Sequence, residues 1–149
     1  MKKFKANFTP TLGELSKARA WLSCVLPEFF IQYGLETPDE DFVNKIVLCL
    51  SEVMANTVDY ADPAAREIKT HLVLKGKAVC LEIEDDGAPF LNFEQALKSA
   101  RGVHNVPTLD GRGRGLYLIG EMCTDLQYTV KTNDKNSFNK MVLKYDPSR

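Results

Sequence analysis

A carboxylate and an amide lie one helical turn apart in the most apolar helix that the sequence predicts. Glu52 and Asn56 are four residues apart, so both side chains project from the same helical face. Leu48, Cys49 and Ala55 surround Glu52 at helical spacing, with no lysine or arginine there to neutralise it. A carboxylate beside an amide oxygen suits a base next to a metal ligand. The alternative is that both side chains face solvent or satisfy one another.

A second acid stands at the end of a predicted strand. Val79, Leu81 and Ile83 alternate along one strand face, and the same parity places Asp85 on that face. Gly87 lets the backbone approach a ligand closely, and an inward carboxylate can accept a hydrogen bond from an exocyclic amine. An ordinary Asp-Asp-Gly turn is the alternative.

Three glycines alternate with two arginines just before a predicted helix. The segment is Gly111-Arg112-Gly113-Arg114-Gly115. Backbone N–H groups and the positive end of the helix dipole would converge there, which attracts phosphate. A flexible surface loop is the alternative, and no Walker loop is present because no Gly-Lys-Ser/Thr follows. Together the three segments supply a metal ligand, an adenine acceptor and a phosphate cradle, so the sequence predicts nucleotide binding.

The first elements follow from alternation, capping signals and prolines. Alternating apolar residues over 4–8 predict a short strand, and Thr11 with Glu14 predicts a capping box that opens a helix. Pro27 should kink or end that helix. A second helix should then start with Thr37 as its cap and Pro38 at its first position.

The second helix is the most strongly patterned element of the chain. Apolar residues recur at helical spacing from Val43 to Val58, and the pattern stops near Pro63. Two alternating segments follow, 68–74 and 77–84, and Lys75-Gly76 between them predicts a hairpin.

The last third of the chain contains a long connection, a helix and a second hairpin. Residues 88–110 read as a mobile connection around a weak helical patch at 93–100. A short helix follows Gly115, and segments 126–130 and 141–145 form the hairpin. This order predicts an α+β fold, a two-layer sandwich with a mixed, mostly antiparallel sheet and helices on one face.

Size and composition indicate one soluble globular domain over 1–149. Hydrophobic residues make up 44% and charged residues 26% of the 149 residues, and the net charge is −1. Without a basic stripe, nucleic acid is an unexpected partner. No apolar run is long enough for a membrane span or a signal peptide, so we expect no membrane association and a cytoplasmic location. The four cysteines are widely spaced, and buried free thiols are the expectation.

Three segments of the chain resemble the motifs of the GHKL superfamily of ATP-binding domains. Leu50-Ser51-Glu52-Val53-Met54-Ala55-Asn56 resembles its N-box, and Asp85-Asp86-Gly87-Ala88-Pro89-Phe90 resembles its first glycine box. Gly113-Arg114-Gly115-Leu116-Tyr117-Leu118-Ile119 resembles the second. Within the superfamily the chain is most similar to the compact anti-sigma-factor serine/threonine kinases.

The resemblance assigns a role to each motif residue. It implies that Glu52 acts as general base or positions the attacking group, that Asn56 coordinates Mg²⁺, and that Asp85 binds the adenine amine. Residues 88–112 would be the ATP lid. The residues implied to contact or shape the nucleotide pocket are Asn56, Asp85, Gly87, Arg112, Gly113, Arg114, Gly115 and Leu116.

Two positions depart from the family pattern. Tyr60-Ala61 stands where the family usually has His-Ala, and Arg114 stands where a leucine is common. Arg114 and Arg112 either reach toward phosphate or face solvent. Neither His71, on the polar parity of its strand, nor His104 has a helical phosphoacceptor setting, so a complete histidine kinase is not expected.

The resemblance implies a protein kinase that works in a partner switch. It would bind a sigma factor or similar regulator and phosphorylate a serine or threonine of an antagonist protein, using ATP and Mg²⁺. One alternative is an ATP-dependent binding module without kinase activity. Another is a scaffold that binds nothing. Homodimerisation is a family expectation that no sequence feature locates.

Overall fold

One antiparallel sheet carries the helices on one of its faces. The structure is a computed structural model that describes residues 4–60, 66–90, 93–101, 111–132 and 137–147, with the backbone alone at 59–60, 99–101 and 111–114. Within these residues the elements are, in chain order, β1 (Lys5–Phe8), α1 (Leu12–Gln32), α2 (Glu40–Tyr60), β2 (Ile68–Lys75), β3 (Ala78–Asp85), α3 (Phe93–Arg101), α4 (Gly111–Met122), β4 (Asp125–Thr129) and β5 (Asn139–Tyr145).

The sheet has the strand order β1-β2-β3-β5-β4, and every neighbouring pair is antiparallel. The hairpin between β2 and β3 turns at Gly76, whose φ of 64° is the left-handed conformation that glycine adopts without strain. The predicted α+β class is confirmed, and the described pairings are wholly antiparallel rather than mixed. Because β5 inserts between β3 and β4, the last of the described strands is an interior strand of the sheet.

The two faces of the sheet differ as the alternation predicts. Inward residues such as Leu81, Ile83 and Leu143 are buried in one core together with apolar residues of all four helices. On the outer face Glu82 lies between Lys140 at 3.2 Å and Lys75 at 3.4 Å. The helices therefore cover one face and leave a polar face opposite, which confirms the predicted layers.

Helix α1 continues through Pro27 and ends at Gln32, so of the two predicted effects of Pro27, a kink or an end, the end is wrong. Phe29 and Phe30 follow the proline and are fully buried, and this packing outweighs the lost backbone hydrogen bond. The helix stops where Gly34 takes a φ of 65° and the Leu35 N–H reaches back to the Phe30 carbonyl.

Both predicted N-caps differ in detail. Thr11 makes no side-chain cap, and the Glu14 carboxylate instead accepts hydrogen bonds from the N–H and hydroxyl of Thr9. Helix α2 begins at Glu40 because Asp39, not Thr37, accepts a hydrogen bond from the Phe42 N–H at 2.7 Å. The α2 stripe itself is confirmed, with Ile46, Leu50 and Met54 fully buried.

The segment predicted as a mobile connection contains a packed helix. Phe93 and Leu97, one turn apart on α3, are both buried, so 93–101 is anchored in the core rather than free. Residues 102–110, with His104, lie outside the described part of the chain, as do 133–136. No helix in the described ranges is both long and apolar enough to span a bilayer.

The cysteines are free thiols in two kinds of environment. Cys49, Cys80 and Cys123 are buried as expected, but Cys24 is exposed on the outer side of α1. Burial raises the pKa of the Cys49 thiol to about 11, and the charge of Glu52 adds to the rise. A thiol with this pKa is almost entirely protonated at neutral pH and is a poor nucleophile.

We predict that an alkylating reagent at neutral pH labels Cys24 rapidly in the folded protein and labels Cys49 only after unfolding. Mass spectrometry of the labelled peptides checks this, and Cys24→Ser should remove the fast phase.

Because the folded pKa of Cys49 is raised above its unfolded value of 9.0, its contribution to stability should be full below about pH 9 and should be lost toward pH 11. Fast labelling of Cys49 in the native protein would contradict its burial.

Candidate nucleotide-binding site

A cleft between α2, the end of β3 and α4 brings the three predicted motifs together. Asn56 of α2, Asp85 of β3 and Leu116 of α4 all line it. The remaining lining residues are Val53, Thr57, Ile83, Ala88, Phe90, Tyr128 and Met141. An apolar cleft with a few polar groups suits a flat heteroaromatic ring with a polar edge.

Glu52 and Asn56 meet helix α4 at Gly115. A Cβ atom placed on Gly115 would lie 3.1 Å from Asn56 Nδ2 and 3.2 Å from Glu52 Oε2, closer than most real Cβ contacts. Glycine is therefore the residue that lets α4 approach α2 here. Glu52 does not line the cleft itself but lies beside it, under the start of α4.

The side chains of Glu52 and Asn56 are half-buried, and neither makes a hydrogen bond or ion pair with another described residue. Half-buried polar groups usually have partners, since a lost hydrogen bond is costly. The described residues show no hydrogen bond between the two side chains, and partial exposure leaves both of them accessible to water or to a ligand. A ligand would satisfy both groups.

Asp85 is held at the end of β3 by two donors on one oxygen. Its Oδ1 accepts from the Gly87 N–H at 2.9 Å and from Asn139 Nδ2 at 3.1 Å. Oδ2 has no hydrogen-bond partner among the described residues. The bond to Gly87 is the turn that the sequence offered as an alternative, but it coexists with a carboxylate that lines the cleft.

Burial raises the pKa of the Asp85 carboxyl, and the hydrogen bonds from Asn139 and Gly87 act in the opposite direction. The negative charge of Asp86 raises this pKa further, whereas Lys131 lowers it. Ionisation of Asp85 therefore lowers the stability of the fold. A carboxylate kept in such a place is one of the marks of a functional site.

Asp86 has a different task from its neighbour. Its carboxylate accepts hydrogen bonds from the N–H groups of Arg66 and Glu67 just before β2, at 2.8 and 3.1 Å. Its carbonyl accepts from Lys131 Nζ at 2.9 Å. Asp86 therefore fixes the edge of the cleft, while Asp85 faces into it.

The glycine-rich segment lies within α4 rather than before it, so the prediction of a preceding loop is wrong. Helix α4 begins at Gly111 and includes Gly113 and Gly115. Burial of Leu116 and Ile119 anchors the helix, and this packing outweighs the low helix propensity of the glycines. The N–H groups without an intrahelical acceptor are consequently those of residues 111–114. The side chains of Arg112 and Arg114, like that of Tyr60, lie outside the described part.

Three aromatic rings form a wall that the sequence did not reveal. Tyr128 of β4 packs against Phe93 at 4.9 Å and against Phe90 at 6.4 Å between ring centroids. The Phe90 N–H also donates to the Tyr128 hydroxyl at 2.8 Å. The wall joins the cleft to the beginning of α3. The only sequence signal was an aromatic residue on the inward parity of β4.

Asn139 is the functional-site neighbour that sequence reasoning missed entirely. It is fully buried and supports both Asp85 and Gly87. Its parity could have identified it, because Asn139 precedes Met141, Leu143 and Tyr145 at the two-residue spacing of the buried face. A polar residue on that parity requires hydrogen-bond partners.

The oxygens of Asn56 and Glu52 are compatible with Mg²⁺, although the described residues contain no cluster of acids. Among the described residues no group of three or more histidine, cysteine, aspartate or glutamate side chains could hold a metal. Mg²⁺ commonly takes one or two protein oxygens, with the rest from phosphates and water. Asn56 and Glu52, unpaired and adjacent at Gly115, fit that pattern.

A helix carboxylate and amide, a strand-end acid and a glycine-containing helix start lie around one cleft on an antiparallel sheet. This arrangement defines an ATP-binding domain of the GHKL type. The family model of the histidine kinase-like ATPase domain matches residues 8–138, and the chain belongs to this family. No curated protein matched the chain. Membership supports ATP binding, a regulatory role, and either phosphotransfer or ATP hydrolysis.

We predict that Asp85→Asn keeps the fold intact or stabilises it while removing the preference for adenine. Asparagine can still accept from Gly87 and Asn139, and the cost of a buried charge disappears. A carboxylate that reads the adenine amine should, however, lose its selectivity for ATP over GTP when it becomes an amide. Calorimetric titration with each nucleotide and thermal unfolding of the apo protein measure both effects.

The raised pKa of Asp85 determines whether its contribution to folding stability rises or falls with pH. An acid with a raised folded pKa favours folding at low pH and loses that contribution as the pH rises past its unfolded value of 3.8. The free energies of unfolding of wild type and Asp85→Asn should therefore differ most at neutral pH. An unchanged ATP-to-GTP ratio would remove Asp85 from the site.

We predict that Gly115→Ala weakens ATP binding by about tenfold, because the new methyl group displaces Asn56 and Glu52 by a few tenths of an ångström. Gly13→Ala is the matched control, since nothing lies within 4 Å of a Cβ at that helical position. The control should be neutral or stabilising by up to about 1 kcal/mol. Equal ATP affinity in both variants would show that the approach of α4 to α2 does not shape the site.

Proposed function

We propose that this protein binds Mg-ATP in the cleft and transfers the γ-phosphoryl group to a serine or threonine hydroxyl of an antagonist protein. In the same proposal it also binds a sigma factor or similar regulator, as a cytoplasmic component of a partner switch. The observation that carries the kinase activity is the placement of Glu52 and Asn56 together against Gly115, with no hydrogen-bond partner for either side chain among the described residues.

The cleft would orient the nucleotide from its two ends. Asp85 would accept a hydrogen bond from the adenine amine, with the apolar residues Ile83 and Met141 beside the ring. The N–H groups at the start of α4 would receive the phosphates. The motif residues Gly87, Arg112, Gly113, Arg114 and Leu116 are proposed as further nucleotide contacts.

Glu52 would then act on the incoming hydroxyl. As a carboxylate without a cationic partner among the described residues, it can accept the hydroxyl proton as the phosphoryl group transfers. Asn56 would hold Mg²⁺, which neutralises charge on the phosphates when bound. Phosphoryl transfer depends chiefly on such positioning and electrostatics.

A second candidate function is a binding module without kinase activity, and the aromatic wall favours it. Phe90, Phe93 and Tyr128 join the cleft directly to α3. A nucleotide beside Phe90 could therefore change the position of α3 and the surface it presents. In that case Glu52 would position the nucleotide without accepting a proton.

We predict that Glu52→Gln abolishes phosphotransfer but retains ATP binding within about threefold, since glutamine keeps the shape and loses the base. The assay follows label from Mg-ATP to candidate antagonist proteins. Glu40→Gln is the matched control, because Glu40 is exposed on the same helix, and it should transfer at the wild-type rate.

Asn56→Ala completes the experiment by testing the metal assignment. ATP affinity should fall in the presence of Mg²⁺ and change little in its absence. Transfer that persists in Glu52→Gln would contradict a general base at this position. Binding by wild type with no transfer to any substrate would favour the module.

A further inference from the structure

We propose that Asn139 is the positioning residue of the adenine site. In this inference, which rests on the proposed nucleotide binding, Asn139 holds one oxygen of Asp85 so that the other faces the base, and it thereby sets the preference for adenine. It does not touch the reacting phosphates, so its role is indirect.

The hydrogen bonds of Asn139 are complete and all lie at the cleft edge. Its Nδ2 donates to Asp85 Oδ1 at 3.1 Å and to the Gly87 carbonyl at 2.9 Å. Its Oδ1 accepts from the Lys131 N–H at 3.0 Å. The side chain is 0% exposed, so water does not compete for these bonds and the amide has one orientation.

This network distinguishes the two oxygens of Asp85. Gly87 alone could bond to either oxygen, because a carboxylate is symmetric and rotates about its last torsion. Asn139 lies across the sheet at the paired position of β5, and with it both donors converge on Oδ1. Oδ2 is then the oxygen available to an exocyclic amine in the cleft.

Asn139 also acts on the charge of Asp85. Among the described charged side chains, Asp86 and Lys131 are the ones that act on this carboxyl. An amide N–H favours the ionised form, which is the form that only accepts hydrogen bonds. A neutral carboxyl could donate, and would then match the carbonyl edge of guanine as well as the amine of adenine.

Asn139→Asp is the sharpest test, because aspartate keeps the shape and can still accept from Lys131 but cannot donate unless protonated. At neutral pH two facing carboxylates oppose each other. ATP affinity should fall by about tenfold, or about 1.4 kcal/mol. As the pH falls, one shared proton restores the donation, so the affinity of the variant for ATP should rise while that of wild type does not.

The selectivity readout uses ATP and purine riboside 5′-triphosphate, which lacks the exocyclic amine, in calorimetric titrations. Wild type should prefer ATP, and Asn139→Asp should lose about tenfold of that preference at neutral pH. Asn44→Asp makes the same change at an exposed site on α2 and should behave as wild type. Circular dichroism restricts the comparison to pH values at which each variant is folded.

Asn139→Thr keeps the test decisive if the aspartate variant does not fold. The single hydroxyl donor of threonine can serve either Asp85 or Gly87 but not both. The preference of Asn139→Thr for ATP should therefore be intermediate between that of wild type and that of Asn139→Asp. If wild type prefers ATP and the Asn139 variants keep that preference and the wild-type pH trend, the inference is overturned while nucleotide binding stands. If wild type binds neither nucleotide, the proposed function and the inference both fail.

Discussion

The close contact between α4 and α2 at Gly115 is the constraint on which the site depends. The space above Glu52 and Asn56 is too small for a Cβ atom without displacement. This contact places the first turns of α4, whose first four N–H groups have no acceptor within the helix, beside the carboxylate and the amide. The opposite side of the cleft is fixed independently by strand pairing, since β3 is held between β2 and β5. The site thus lies between a packed helix pair and the end of an interior strand.

At the β3 end of the cleft, hydrogen bonds stabilise a carboxylate whose burial is unfavourable. Burial raises the pKa of Asp85, and Asn139 and Gly87 counter that effect through hydrogen bonds. An apolar residue at 85 would make a simpler core, so stability does not explain the carboxylate. The outer face of the sheet shows the contrast, because its acid, Glu82, is surrounded by cations close to solvent.

Much of the fold could be predicted because its signals are local. Alternation fixed β2 and β3, helical spacing fixed α2, and the parity that aimed Asp85 inward also explains its place in the cleft. The misses share a cause, which is that tertiary contacts override local preferences. Burial of Phe29 and Phe30 carries α1 past Pro27, and burial of Phe93 and Leu97 packs the predicted helical patch into the core rather than leaving it in a mobile connection. For Asn139 the local parity could indicate only that the side chain is buried; its partners, Asp85 and Gly87, are more than fifty residues away in sequence, and no local pattern identifies them.

The interior position of β5 has a consequence for the order in which the sheet is completed during translation. The ribosome delivers β3 and the helices long before Asn139–Tyr145, so a nascent chain must wait with one side of β3 unpaired. Both the sheet and the support for Asp85 are completed by the same late strand. A truncated product that ends before β5 would therefore lack an interior strand of the sheet and the hydrogen bond that holds Asp85 in the cleft.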